Sequence, residues 1–387
     1  MYSEVEIGNL RFLASMSGSG YDPDIAALFT EAERYHRVVP PEIGGNDFET
    51  IDYGYRAEAQ HVRQRLITLG YSWERAWSDL TVAVERWRQE APSRRRGERR
   101  PRTVEQEFEE YREKLEPGPH NWGEFNPLGI QRHMDPRSLL RLMLDHVRGD
   151  TKVALDFIEA YDSTPDRPIA AMAREAQLGA STSAPVIVLT EGRTDSRLLA
   201  KGMQVTHPHL IGFVTFIDFD GFPAEGGASA MAKLVVSFAA AGVANRVVAI
   251  ADNDPAGLEA VAKIRHTGQL PANYRILNYP PLEFLNSYPT LGPYSEDPVE
   301  ADINGRAGAL ELYLGRDILL ADGELIPVQW TSYHRKLRMY QGELLEKTET
   351  QRRFEAKVAT ALGGTAAADA DWSGIHAIIE AIITAFA

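Results

Sequence analysis

Between residues 184 and 286 the chain alternates short unbroken apolar runs with longer stretches of helical spacing. The runs Val186–Thr190, Phe213–Ile217, Arg246–Ala251 and Tyr274–Asn278 are too short for helices, and such runs read as strands buried on both faces. Thr194–Lys201, Ala228–Ala241 and Ala256–His266 separate them with apolar positions at helical spacing. Repeated strand and helix units of this length predict a parallel sheet with right-handed crossovers.

Upstream the pattern differs. Val5–Phe12 alternates apolar and polar residues, which suits a small strand pair, while Tyr55–Arg88 and Pro136–Tyr161 predict helices. Ala91–Arg102 reads as an exposed connector, after which Thr103-Val104-Glu105-Gln106 offers a helix-capping signal. A composition shift over Gln177–Pro185 places a domain boundary there, giving a mostly helical domain over residues 1–178 and an α/β domain over 184–286. In residues 287–387, Pro289, Pro293 and Pro298 predict an irregular segment that continues from Pro280 and Pro281. Helices are expected over Gly308–Leu314, Gln341–Ala361 and the C-terminal stretch. There Ile375, Ile378, Ile379, Ile382, Ile383 and Phe386 form one apolar stripe, which is either core or a homo-oligomer contact.

Composition narrows the chemistry. The 387 residues contain no cysteine, which removes disulfides, thiolate metal sites and cysteine nucleophiles together. Any metal is left to oxygen donors or to the ten histidines. The net charge of −14 argues against a generally basic nucleic-acid binder. A polyanionic substrate would have to meet local patches, such as Arg94–Arg96 with Arg99, Arg100 and Arg102, Arg335–Arg338, or Arg352-Arg353. Each patch reads equally as a solvated face. With no basic-then-apolar leader and no apolar run near the roughly 20 residues of a membrane span, a cytoplasmic chain with no membrane partner is expected. The chain carries no ATPase motif, so a nucleotide-driven step would need a separate partner protein.

The strand ends carry the most informative residues. Glu191-Gly192-Arg193-Thr194-Asp195 follows the first strand, Gly226-Gly227 opens a helix, and Asp252-Asn253-Asp254-Pro255-Ala256-Gly257 follows the third strand. Mg²⁺ or Mn²⁺ takes oxygen ligands from one or two carboxylates, with water and substrate phosphate completing the set. Glu191, Asp252 and Asp254 supply such carboxylates. Asp195 either returns to the same metal or stabilises a helix N-terminus. Gly192 is expected to permit a sharp turn, and Gly226 and Gly227 to leave a helix N-terminus open to phosphate.

This order of acids and glycines resembles the TOPRIM domain of primases, topoisomerases and OLD-type nucleases, over roughly Ala184 to Asn286. The resemblance implies a Rossmann-like parallel sheet in which Glu191 is a metal ligand or general acid/base, Asp252 and Asp254 bind metal, and Asp195 occupies a further acidic position. It implies metal-assisted phosphodiester hydrolysis, in which a C-terminal cation such as Lys336 neutralises transition-state charge. Asp302 and Glu311 are candidates for a second metal site or are ordinary surface acids.

As a whole the chain resembles the HEPN/Toprim-associated bacterial proteins, on Val5–Leu10, Asp302–Gly315 and Tyr340–Glu343. The implied architecture is an α/β TOPRIM domain between a mostly helical HEPN-like domain and a helical C-terminal extension. Arg141 and His146 match the spacing of the HEPN ribonuclease motif, although Leu142 stands where a polar residue often follows the arginine. That module favours RNA, such as tRNA, over DNA, and such pairings resemble bacterial antiviral systems. Three rivals remain open: a metal-independent HEPN-type ribonuclease that uses the N-terminal domain, a phosphatase of the haloacid-dehalogenase type using Asp218 and Asp220, and a non-catalytic module whose acids only bind metal or nucleotide.

Overall fold

The computed structural model describes residues 2–8, 10–15, 22–39, 50–89, 103–106, 108–109, 133–158, 168–177, 184–217, 227–266, 270–292, 297–364 and 370–387, and its contacts divide the chain into two units at Ala184/Pro185. Among the described residues no helix is long and apolar enough to cross a membrane. Arg94–Arg96, Arg99, Arg100, Arg102, Asp218, Asp220, Pro293 and Gly226 lie outside the described residues.

The first unit is built on a five-stranded antiparallel sheet, ordered β2-β1-β5-β4-β3. Its strands are β1 (Tyr2–Ile7), β2 (Leu10–Ser15), β3 (Arg34–Val39), β4 (Thr50–Glu58) and β5 (Lys152–Ile158). The expected opening strand pair is present as β1 and β2. The rest corrects the mostly helical reading. Pro136–Tyr161 divides into a helix and β5, the central strand, in which Val153 through Phe157 are all buried. A strand covered on both faces has no alternation to distinguish it from a buried helix. Tyr55–Arg88 likewise starts as strand, with Tyr55 and Ala57 buried and Arg56 exposed between them.

Among the described residues, the helices of this unit include α1 (Pro23–Ala26), α2 (Ala59–Thr68), α3 (Trp73–Gln89), α4 (Pro136–Leu144) and α5 (Ile169–Gln177). Asp135 caps α4, accepting from the Arg137 amide at 2.9 Å while Pro136 opens the helix. The expected capping signal forms reciprocally: the Thr103 hydroxyl accepts from the Gln106 amide, and the Gln106 side chain accepts from the Thr103 amide, each at 3.2 Å. Arg65, fully buried, is held by both carboxylate oxygens of Glu33 at 2.9 and 2.8 Å and by the Leu28 carbonyl at 2.8 Å.

The second unit contains a four-stranded parallel sheet, ordered β7-β6-β8-β9. Its elements run β6 (Val186–Leu189), α6 (Arg193–Thr206), β7 (Val214–Phe216), α7 (Ala228–Ala240), β8 (Val247–Ala251), α8 (Pro255–His266) and β9 (Tyr274–Asn278). All five residues of β8 are fully buried, which is why this segment is legible as a continuous Val/Ile/Ala run.

Residues 279–387 correct the expectation of an irregular and helical extension. β10 (Tyr288–Leu291), β11 (Val299–Ala301), β14 (Val328–His334) and β15 (Met339–Leu344) form a second sheet ordered β11-β10-β14-β15, and β12 (Leu320–Ala321) pairs with β13 (Glu324–Leu325). The helix expected from Gln341 begins only at Lys347, because Gln341–Leu344 pairs with β14 and Glu346 turns the chain at φ 56°. α9 (Lys347–Leu362) and α10 (Ser373–Ile383) follow. The isoleucine stripe of α10 belongs to the core of this unit: Ile375, Ile378, Ile379, Ile382 and Ile383 are each at most 1% exposed. Ile375 packs on Gly202 of α6. Burying each such side chain stabilises by roughly 1.5–3 kcal/mol, so these five isoleucines help hold the unit together.

Candidate acidic site

β6 and β8 are neighbours in parallel register, so their carboxyl ends bring Glu191 and Asp252 side by side. The Asp252 amide donates to Glu191 Oε1 at 3.0 Å. That approach depends on Gly257: a Cβ there would collide with the Asp252 carbonyl and sit 3.1 Å from Glu191 Oε1. Asp254 accepts from the Gly257 amide at 2.8 Å on one oxygen and from Gln341 Nε2 at 2.9 Å on the other. Asp195 stands in the first turn of α6.

Below it, the Thr190 hydroxyl lies 2.8 Å from that of Ser196, which donates to the Ile217 carbonyl at 2.9 Å. These bonds pin the end of β6, the start of α6 and the residue after β7 together. Gly192 differs from expectation. Its φ of −143° is extended backbone that any residue adopts, and it acts as the N-cap residue of α6. Gly227 does require glycine, at φ 100°, and its amide donates to the Glu191 carbonyl at 2.8 Å.

The carboxylates share one electrostatic field. Burial pushes Glu191 up, against hydrogen bonds from the Asp252 and Ala228 amides and with added repulsion from Asp254. Asp195 is pushed up to about 7 by burial, then by Glu311 and Glu191. Burial, with Glu191, Asp195, Asp254 and Glu311 around it, holds Asp252 well above the usual carboxylate range. Asp254 is raised by burial despite the Gly257 and Ala256 amides. Glu311, a candidate for a second metal site by sequence, thus belongs to this cluster. Asp302 is exposed and accepts from the Asn304 amide in a local turn.

Two kinds of positive field oppose this charge. The N-terminal ends of α6, α7, α8 and α9 all reach the cluster, through Asp195, Ala228, the Asp254 cap and Lys347. Each helix N-terminus carries roughly half a positive charge. Lys347 is the cation facing Glu191, Asp195 and Asp254, and its Nζ lies 3.9 Å from Glu311 Oε2. Lys336, the sequence candidate for this role, is placed elsewhere: it is exposed and pairs with Glu259 at 2.9 Å. A lysine at the first position of a helix opposes the dipole, so Lys347 was readable as an acid-seeking cation only once the helix start was known.

Among the described residues no three Asp, Glu or His side chains are drawn close enough to form a ready-made metal cage. The donor set is nonetheless all oxygen, and Asp252 Oδ1 is buried with no hydrogen-bond partner. A hard divalent cation would satisfy that oxygen and offset the mutual repulsion.

The raised acids have a consequence for stability. Between the ordinary carboxylate range and about 7, the folded chain holds a proton on Asp195 that the unfolded chain has lost. Stability therefore falls as pH rises through that window, and the penalty is complete above it. In EDTA the thermal midpoint is expected to be higher near pH 5 than near pH 8, with Asp195→Asn narrowing the difference. Equal midpoints would contradict the burial of this cluster.

In the first unit, α4 ends at Leu144, so Arg141 lies on the helix and His146 beyond it. Arg141 pairs with Asp145 at 2.7 Å, and the His146 ring packs edge-on against Phe108 and Trp73. The structure thus does not present the two residues on one helix face. The Asp145 cap and the turn through Gly149 break the helical spacing that the sequence suggested.

Residues 1–116 match the family described as HEPN/Toprim N-terminal domain 1. No curated protein and no solved structure matches the chain.

Proposed function

We propose that residues 185–386 form a TOPRIM-type, divalent-metal-dependent nuclease that hydrolyses phosphodiester bonds. The observation carrying this reading is the convergence of Glu191, Asp195, Asp252, Asp254 and Glu311 at the carboxyl ends of two adjacent parallel strands, with a buried, unmatched oxygen on Asp252. The crevice outside the carboxyl ends of such strands is where open α/β sheets bind ligands. The family match over residues 1–116 supports the same reading, because its description joins such a domain to a Toprim partner.

Glu191, Asp252 and Asp254 would hold Mg²⁺ or Mn²⁺, with Asp195 and Glu311 completing the negative field. When bound, the cation lowers the pKa of a coordinated water and offsets charge on the phosphoryl group, an effect worth several kcal/mol. The chain's own contribution is orientation and charge. The amide of Ala228 at the start of α7, which now donates to the Glu191 carboxylate, would be available to a phosphate oxygen if Glu191 were engaged by a metal. Lys347 supplies the mobile positive charge that balances the transition state. RNA is the favoured substrate class, resting on the HEPN-related first unit, and a role in antiviral defence follows the same family pattern.

Lys347→Gln is expected to lower cleavage of a labelled oligonucleotide by about 100- to 1,000-fold, the range for loss of one preorganised stabilising group, with Lys347→Arg retaining most of it. Cleavage by Lys347→Gln at the wild-type rate would remove Lys347 from the chemistry.

A further inference from the structure

The hairpin formed by β14 and β15 combines three features on one element. Tyr333 and Tyr340 are directly opposed across the strands, with ring centroids 5.0 Å apart, and Trp330 lies 6.2 Å from Tyr340. An irregularity in register at Thr331 keeps Trp330 in line with them. Tyr333 is 50% exposed, and Trp330 and Tyr340 are half-buried beside it. The turn joining the strands is Arg335-Lys336-Leu337-Arg338, all exposed, and Arg338 holds φ 55°, a conformation that favours glycine or asparagine.

The opposite face of the hairpin is anchored. His334 Nε2 lies 2.8 Å from Glu259 of α8, which also binds Lys336 at 2.9 Å and Lys263 at 3.1 Å. Hydrogen bonds from Lys336, Lys263 and His334 hold the Glu259 carboxyl down at about 2. Gln341, next to Tyr340, donates to Asp254 of the acidic cluster. The aromatic face is therefore presented by a strand that itself touches the site.

We propose that this hairpin seats a single-stranded segment of nucleic acid, its bases stacked on Trp330, Tyr333 and Tyr340 and its phosphates met by Arg335 and Arg338. The fit is chemical: the exposed Tyr333 ring, with Tyr340 and Trp330 beside it at interplanar angles of 65° and 57° along the row, offers π faces that accept any unpaired base, and flanking guanidinium groups track the backbone. Base pairs inside a duplex cannot present their faces to such a row. In a chain of net charge −14, a basic turn beside one exposed and two half-buried aromatic rings is a local polyanion seat. The inference rests on the nuclease reading only for the class of ligand.

The test is fluorescence anisotropy of the full chain in EDTA with labelled oligo-dT, oligo-rU and a duplex, each of about 12 nucleotides, a length within known single-strand site sizes. Because EDTA removes any metal chemistry, failure of the nuclease reading leaves this binding intact. The single strands are expected to bind more tightly than the duplex. Tyr333→Ala and Tyr340→Ala should each weaken single-strand binding by roughly tenfold or more, the effect of losing one base stack, while Tyr333→Phe retains it. Arg335→Ala with Arg338→Ala should lower the salt dependence of binding. Duplex bound as tightly as single strand, or unchanged binding by both tyrosine variants, overturns the proposal and leaves the face to a protein partner.

Discussion

Asp252→Asn is expected to raise the thermal midpoint of residues 185–386 in EDTA and to abolish the further stabilisation that Mn²⁺ gives the wild type. Both effects come from one carboxylate. Asp252 is buried among four other carboxylates, and its Oδ1 has no hydrogen-bond partner. A buried polar group without a partner costs on the order of 1–3 kcal/mol, more when charged, and neutralising it relieves repulsion on Glu191, Asp195 and Asp254 together. The same charge is what a cation binds, so the variant trades cation affinity for intrinsic stability. Wild type with saturating Mn²⁺ should gain about 2.7 kcal/mol at a hundredfold excess over Kd, and Asp252→Asn close to none. Scanning calorimetry of both proteins, with EDTA and with Mn²⁺, measures the pair of effects. A wild type insensitive to Mn²⁺, or a variant less stable than wild type in EDTA, would contradict this arrangement.

Gly257→Val is expected to be the most damaging single change in the second unit outside its apolar core. The added Cβ would collide with the Asp252 carbonyl and crowd the Glu191 carboxylate at 3.1 Å, so the first turn of α8 has to move off the end of β8. That movement withdraws the Gly257 amide from Asp254 and separates the two strand ends that form the site. Overpacking of this kind costs typically 1–3 kcal/mol, and the lost cap adds about 1 kcal/mol. Gly257→Ala provides the milder comparison. Urea unfolding followed by far-ultraviolet circular dichroism reads the stability, and Mn²⁺ titration reads the site. Wild-type values for both in Gly257→Val would show that the close approach of α8 to β8 is not required.

Parts of this structure were legible in the sequence for definite physical reasons. β6 and β8 are buried on both faces, so Val186–Leu189 and Val247–Ala251 are continuous apolar runs that end where function begins. Their terminal acids converge through parallel register, which the alternation of strands and helices had implied. β5 is buried as fully from Val153 to Phe157 but carries Asp156 within the run and lies near helical patterns, and periodicity cannot separate a doubly covered strand from a buried helix. β14 and β15 escaped for the opposite reason. Thr331, Ser332 and Tyr333 are exposed, so no apolar face marks the strand, and pairing is set by contacts remote in sequence. Glu311 and Lys347 join the cluster from segments more than 50 residues beyond Asp254. Side-chain chemistry alone gave Glu311 no advantage over any other acid, and it made Lys336 as eligible as Lys347. Only the αL turn at Glu346, which fixes where α9 starts, decides between the two lysines.

Cleavage of labelled single-stranded RNA and DNA should be followed with wild type, Asp252→Asn and His146→Ala in parallel, each in Mn²⁺ and in EDTA. The acidic cluster as nuclease predicts cutting by wild type and His146→Ala in Mn²⁺, none in EDTA, and a loss of about 1,000-fold or more in Asp252→Asn, the scale of removing metal-assisted charge stabilisation. Cutting that persists in EDTA and in Asp252→Asn but vanishes in His146→Ala would contradict it and assign the chemistry to the first unit.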